Sequence, residues 1–168
     1  TCTFDSQKDD SGIPDLLRTD DLIAYEADIS NRNREAQADE TQYRIDYNRR
    51  PETDMEVCMP RQTLEMLAAG HGMFAGFPAS ARRELLNHMA ALTDELYPSF
   101  RLYLFDARER FSAPYTVFGS TRAAIYMGSM YLILNATEPI RTLTRHFDGL
   151  VRGASVHAHE TANFLNLL

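Results

Sequence analysis

The sequence predicts a single α/β domain, in which a mixed, largely antiparallel sheet is sandwiched by helices and preceded by a helical arm. Three observations carry that expectation. Residues 111–135 hold three short runs of β-branched, aromatic and aliphatic residues, at 115–118, 123–127 and 130–134, separated only by Gly119-Ser120-Thr121-Arg122 and Gly128-Ser129. Glycine followed by a small polar residue supplies the positive φ of a tight reversal, so the stretch reads as a three-stranded antiparallel meander. Leu85, Leu86, Met89, Leu92 and Leu96 fall on one helical face, and Ile140, Leu143, Phe147, Leu150, Val151 and Ala154 repeat at the same period.

Taken in order, residues 1–12 are polar and acidic, as in a terminus or linker. From Pro14 to about Ala38 helix formers predominate, with Leu16, Leu17, Leu22, Ile23, Ala27 and Ile29 in a rough helical pattern. Residues 39–54 alternate aromatic and charged side chains before Pro51 and fit either an edge strand or a continued helix. The division is therefore an acidic linker and helical arm over 1–54 and an α/β domain over 55–168.

Within that domain, 55–59 is a short strand closed by Pro60, and 61–69 a helix stopped by Gly70. The glycine-punctuated loop 71–78 carries Phe74 and Phe77, which plug the core or line a cavity lid. Ser80 caps a helix over about 80–96 that Pro98 ends, and 100–105 is the next strand. The meander is apolar on both faces, since Met130, Leu132 and Leu134 alternate with Tyr131 and Ile133, so helices are expected on both sides. Thr137-Glu138-Pro139 opens a helix over about 138–153 with a capping hydroxyl and an early proline. A short apolar helix or tail follows from about Glu160.

Composition bounds the function. The 168 residues carry a formal net charge of −7, with 15 acids and 7 bases in residues 1–60 and 9 acids and 10 bases in the rest. An acidic front portion does not suit a phosphate-gripping surface, so any contact with DNA is expected only through a separate domain. No apolar run approaches the length of a membrane span, and no membrane association is expected. Cys2 and Cys58 are too few for a disulfide framework and too far apart for a CxxC motif; free thiols and a reducing, cytoplasmic setting are expected. Because the chain begins at Thr1 and not at Met, a preceding segment is expected.

His157-Ala-His159-Glu160 is the main metal-like pattern, with His146 as a candidate third ligand. Two histidines do not make a zinc site, so neither a metal nor a cofactor is expected, and the rival reading is a metal-assisted hydrolase using His157, His159 and an acid. Tyr103, Tyr115 and Tyr126 lie on adjacent predicted strands, with Asp106, Arg108 and Arg122 at strand ends. These six form the expected ligand site: an aromatic wall with a few hydroxyls, at whose rim arginines orient an anionic group.

The runs Tyr97-Pro98-Ser99-Phe100-Arg101-Leu102-Tyr103-Leu104-Phe105-Asp106, Ala113-Pro114-Tyr115-Thr116-Val117-Phe118-Gly119, Ala124-Ile125-Tyr126-Met127-Gly128 and His146-Phe147-Asp148-Gly149-Leu150-Val151-Arg152 also resemble a known group. They are similar to the C-terminal domain of bacterial helix-turn-helix transcriptional regulators of the Cro/CI (XRE) type. The likeness covers about residues 79–152. It implies a non-enzymatic sensor or dimerisation domain, working as a homodimer with a small-molecule effector, behind a DNA-binding head. It also implies a phospholipase-D-like sandwich, although the H-x-K-x4-D pattern of that enzyme family is absent and no catalytic residue carries over. A pure oligomerisation module is the third reading.

Overall fold

A computed structural model describes residues 3–4, 12–30, 54–127 and 130–168. Among the described residues the strands are β1 (Thr3–Phe4), β2 (Met55–Pro60), β3 (Phe100–Phe105), β4 (Tyr115–Phe118), β5 (Arg122–Tyr126) and β6 (Tyr131–Leu134). The α-helices are α1 (Asp20–Ser30), α2 (Arg61–Ala69), α3 (Ala79–Glu95), α4 (Thr137–Arg152) and α5 (Thr161–Leu167), with short 3-10 turns at Asp15–Leu17 and Gly72–Phe74. The α/β class and the antiparallel meander are as the sequence predicts. Residues 39–53 of the strand-or-helix segment lie outside the described residues.

The single mixed sheet is the main correction. β2 and β3 form a separate parallel pair, in register from Met55 opposite Phe100 to Pro60 opposite Phe105. β1, β4, β5 and β6 form an antiparallel sheet in that order. The reason lies in backbone pairing at the far edge of β3: Leu104 donates to Val156 O at 3.0 Å, and Ser155 N and Val156 N donate back to Leu104 O at 2.8 and 3.1 Å. A segment some fifty residues later in the chain thus occupies that edge of β3 at Leu104.

Two cores follow from strand alternation. Val57, Met59, Phe100, Leu102 and Leu104 point into the larger one, with Leu64 and Leu67 of α2, Leu85, Leu86, Met89 and Leu92 of α3, and Leu165 of α5. Ile13, Leu16, Leu17 and Leu22 belong to the same core, so the expected arm is docked here by its apolar residues. Cys58 and Phe105 point the other way, into a second core made by Tyr115 and Val117 of β4, Ala123 of β5 and Ile140, Phe147 and Leu150 of α4. One helix, α4, therefore covers a face of both sheets.

Helices on both sides were expected of the meander; among the described residues α4 covers the Tyr115 face, and on the opposite face Thr116 and Ala124 are buried at 2% and 6%. The parallel pair is covered on both faces, and the hairpin tip and β6 end of the antiparallel sheet are exposed: Phe118 is 44% exposed, Met127 60%, Met130 59%, Leu132 46% and Ile133 49%. Two expected caps also shift. α3 starts at Ala79, placing Ser80 inside its first turn, and α4 starts at Thr137; neither N-terminus has a side-chain cap. Gly70 does stop α2, in a left-handed conformation at φ 67° that a side chain with a Cβ adopts at a cost.

Candidate functional site

The six expected site residues divide into three groups. Tyr103 and Tyr115 face the second core. Tyr115 pairs with Ile125, so alternation turns the next residue, Tyr126, to the opposite face; Arg122, paired with Phe118, lies on that outer face too. Asp106 and Arg108 sit beyond the end of β3. A one-residue difference in parity thus separates tyrosines that adjacent strands had placed together.

Each group has its own role. Tyr115 is 4% exposed, its hydroxyl donates to Leu143 O at 3.1 Å, and its ring packs 5.9 Å from that of His146. It is a core residue tying β4 to α4. Tyr103 is half-buried beside Glu56, its hydroxyl 3.5 Å from the carboxylate, while Arg101 spans Glu56 at 3.1 Å and Asp54 at 2.5 Å. Burial, then the Glu56 charge, raises the Tyr103 phenol above its ordinary value. Tyr126 stacks at an angle on Tyr131, with ring centroids 5.2 Å apart.

Asp106 organises the turn after β3. Its carboxylate accepts from Arg108 N at 2.9 Å, Gln62 Nε2 at 2.7 Å and Arg61 Nη2 at 2.8 Å. The Arg108 N–H, followed by Gln62 and Arg61, holds this carboxyl below the usual range, because each donor favours the charged form. The Arg108 side chain is 75% exposed and only 3.9 Å from the carboxylate at its nearest, so the cluster is a capped turn stapled to the start of α2.

The metal-like pattern is also resolved. The rings of His157 and His159 stack at 6.3 Å, and His157 meets Tyr103 edge-on at 6.4 Å. Glu160 accepts from His157 N at 3.1 Å, while His146 Nε2 lies 3.1 Å from Ser112 Oγ on another part of the surface. Among the described residues no three His, Cys, Asp or Glu side chains converge in a metal-binding group. Sequence reasoning missed the Ser112–His146 pair, whose members lie 34 residues apart. The distance suits a nucleophile and base, but such a pair needs a third group to orient the imidazole, and no carboxylate among the described residues is seen to do so.

Among the described residues a groove of about 750 Å³ lies between the β4–β5 hairpin tip and the first half of α4. Gly119 and Ser120 form one wall; Thr137, Glu138, Ile140, Arg141, Thr144 and Arg145 form the other. Gly119, at φ 57°, makes the reversal that brings the tip over the helix. The Thr144 hydroxyl is spent on Ile140 O at 3.0 Å, and Arg141 is 3.5 Å from Glu138. No ion pair holds Arg145 among the described residues.

Two guanidiniums one helical turn apart, near a helix N-terminus without a side-chain cap, give the groove positive character. Glu138 partly offsets it. The sequence signal that finds this wall is Arg141 and Arg145 at i and i+4, with no acid at i−4 or i+4 of Arg145, where Arg141 and Gly149 stand, and Asp148 at i+3. In comparisons with known proteins, no family model, no curated protein and no solved structure matches the chain.

Proposed function

We propose that this chain is the regulatory domain of a bacterial transcriptional regulator, that it binds a small anionic effector without chemistry, and that it works as a pair. DNA would be contacted by a helix-turn-helix head encoded ahead of Thr1. The resemblance of residues 79–152 to Cro/CI-type regulators supports the regulatory assignment. The observation that carries the effector class is the groove, where Arg141 and Arg145 face the hairpin tip across an open volume of about 750 Å³. Guanidinium groups recognise carboxylate and phosphate with paired hydrogen bonds, so a small organic acid or phosphate ester fits better than a cation or an apolar ligand.

Thermal shift is the direct test, using inorganic phosphate, small mono- and dicarboxylates and nucleoside monophosphates on wild type and on Arg145→Ala. A ligand at 100 times its Kd stabilises by about 2.7 kcal/mol, roughly 5–10 °C for a chain of this size. Arg145→Ala should cut that rise while leaving the ligand-free melting point within about 1 °C, because the residue is exposed. If no anion raises the melting point, or if the variant responds like wild type, the effector reading fails. Arg122→Ala, on the outer face, should respond as wild type does.

A further inference from the structure

We infer that two copies of this chain pair through β6, edge to edge and antiparallel about a two-fold axis, joining their antiparallel sheets into one. This deepens the assembly half of the reading above and does not depend on the effector groove. β6 is the terminal strand in the order β1-β4-β5-β6, and among the described residues no strand lies on its outer side. Its pairing with β5 shows which backbone groups face that side. Met127 N donates to Met130 O at 2.9 Å, so alternation makes Ile125 and Leu132 a hydrogen-bonded pair and Ala124 and Ile133 a non-bonded one. The N–H and C=O of Ile133 therefore point away from β5, toward the open edge.

An edge of this kind is normally guarded by lysine, proline or an inward charge. From 123 to 137 the sequence has no Asp, Glu, Lys, Arg or Pro, in a chain that is 24% charged. Around the edge Met127, Met130, Leu132 and Ile133 are 60, 59, 46 and 49% exposed. Leu132 faces the α4 side and Ile133 the outer side, so the edge is apolar on both faces.

These features select the occupant. The open backbone groups require an extended strand, and the flanking side chains require one that is uncharged and apolar on both faces. A second β6 meets both conditions, and antiparallel pairing about a two-fold sets each apolar side chain against its own kind. Taking roughly 150–200 Å² for a fully exposed large side chain, these four apolar residues offer about 320–430 Å² per copy, or about 640–860 Å² per pair, the size of a weak, concentration-dependent interface. With a net charge of −7 on each copy, pairing should tighten as salt rises.

The test is sedimentation velocity of the full chain between 1 and 100 μM, as wild type, Ile133→Pro, Ile133→Lys and Phe118→Lys. Ile133→Pro removes an N–H that the β5 ladder does not use, and proline is tolerated at such an edge. Wild type and Phe118→Lys should be dimeric, and both Ile133 variants monomeric with native circular dichroism. Should Ile133→Pro lose its fold, Ile133→Lys decides alone. A wild type that stays monomeric at 100 μM overturns the proposal, as does a dimer that survives both Ile133 variants. Loss of the dimer in Phe118→Lys alone would assign it to face packing and also overturn it. The phosphate and carboxylate response of Ile133→Lys, read by thermal shift, reports on the groove separately.

Discussion

The hydroxyl of Tyr115 donates to the main-chain carbonyl of Leu143 at 3.1 Å, and this bond joins an interior strand of the antiparallel sheet to α4, which packs against both sheets. Removing it leaves the ring in place. Tyr115→Phe should therefore cost about 1 kcal/mol, the net worth of one such bond, or roughly 2–4 °C in melting temperature. Thermal denaturation of the variant checks this. Ligand response should be unchanged, since the side chain is buried away from the groove.

Asp106 should make an acid-labile contribution. Its carboxyl is held below the ordinary value by the Arg108 N–H, Gln62 and Arg61. A depressed folded pKa means the contribution is fully present above the unfolded value of about 3.9 and is lost as pH falls through the folded one. Urea midpoints of wild type and Asp106→Asn should differ by a constant amount above about pH 5 and converge as pH drops below about 4. Parallel curves down to the acid limit would show that the carboxylate contributes nothing.

Local order was legible where one period dominates. Phe100–Phe105 alternates in burial as a strand should, and Leu85, Leu86, Met89, Leu92 and Leu96 are all buried as their spacing demands. Pairing was not legible, because it depends on distant segments. Nothing near β3 indicates that Val156 will take its edge, and nothing in 115–126 fixes the parity that sends Tyr115 inward and Tyr126 outward. The groove was missed for the same reason: its walls, Gly119-Ser120 and Thr137 to Arg145, meet only after the hairpin and α4 have docked.

Cys58 should be chemically silent in the folded chain. It is fully buried in the second core, and burial pushes its thiol up to about 12, with the Arg110 charge offsetting a little. A raised pKa means the group favours the folded state below the unfolded thiol value of about 8.5 and that this contribution drains away as pH climbs toward the folded value. In a Cys2→Ser background, a disulfide reagent at pH 8 should label no thiol quickly without denaturant and one in urea. Fast labelling of the native chain would mean that this core opens readily.

The glycine-rich loop before α3 presents a choice between a plug and a lid, and packing favours the plug. Phe74 and Phe77 are 1% and 2% exposed and belong to the larger core. Tyr25 of α1 packs on Phe77 with ring centroids 5.0 Å apart and donates its hydroxyl to Met73 O at 2.6 Å, so α1 fastens the loop from outside. A lid would exchange these contacts for solvent each time it opened, whereas a plug holds them as long as the domain is folded. Phe74→Ala should then cost about 3–5 kcal/mol, the usual loss for a fully buried phenylalanine. Tyr25→Phe, which removes only the bond to Met73, should cost about 1 kcal/mol. Urea unfolding separates the two ideas: a plug gives a large drop in midpoint with an unchanged slope for Phe74→Ala, while a lid gives a loss below about 1 kcal/mol.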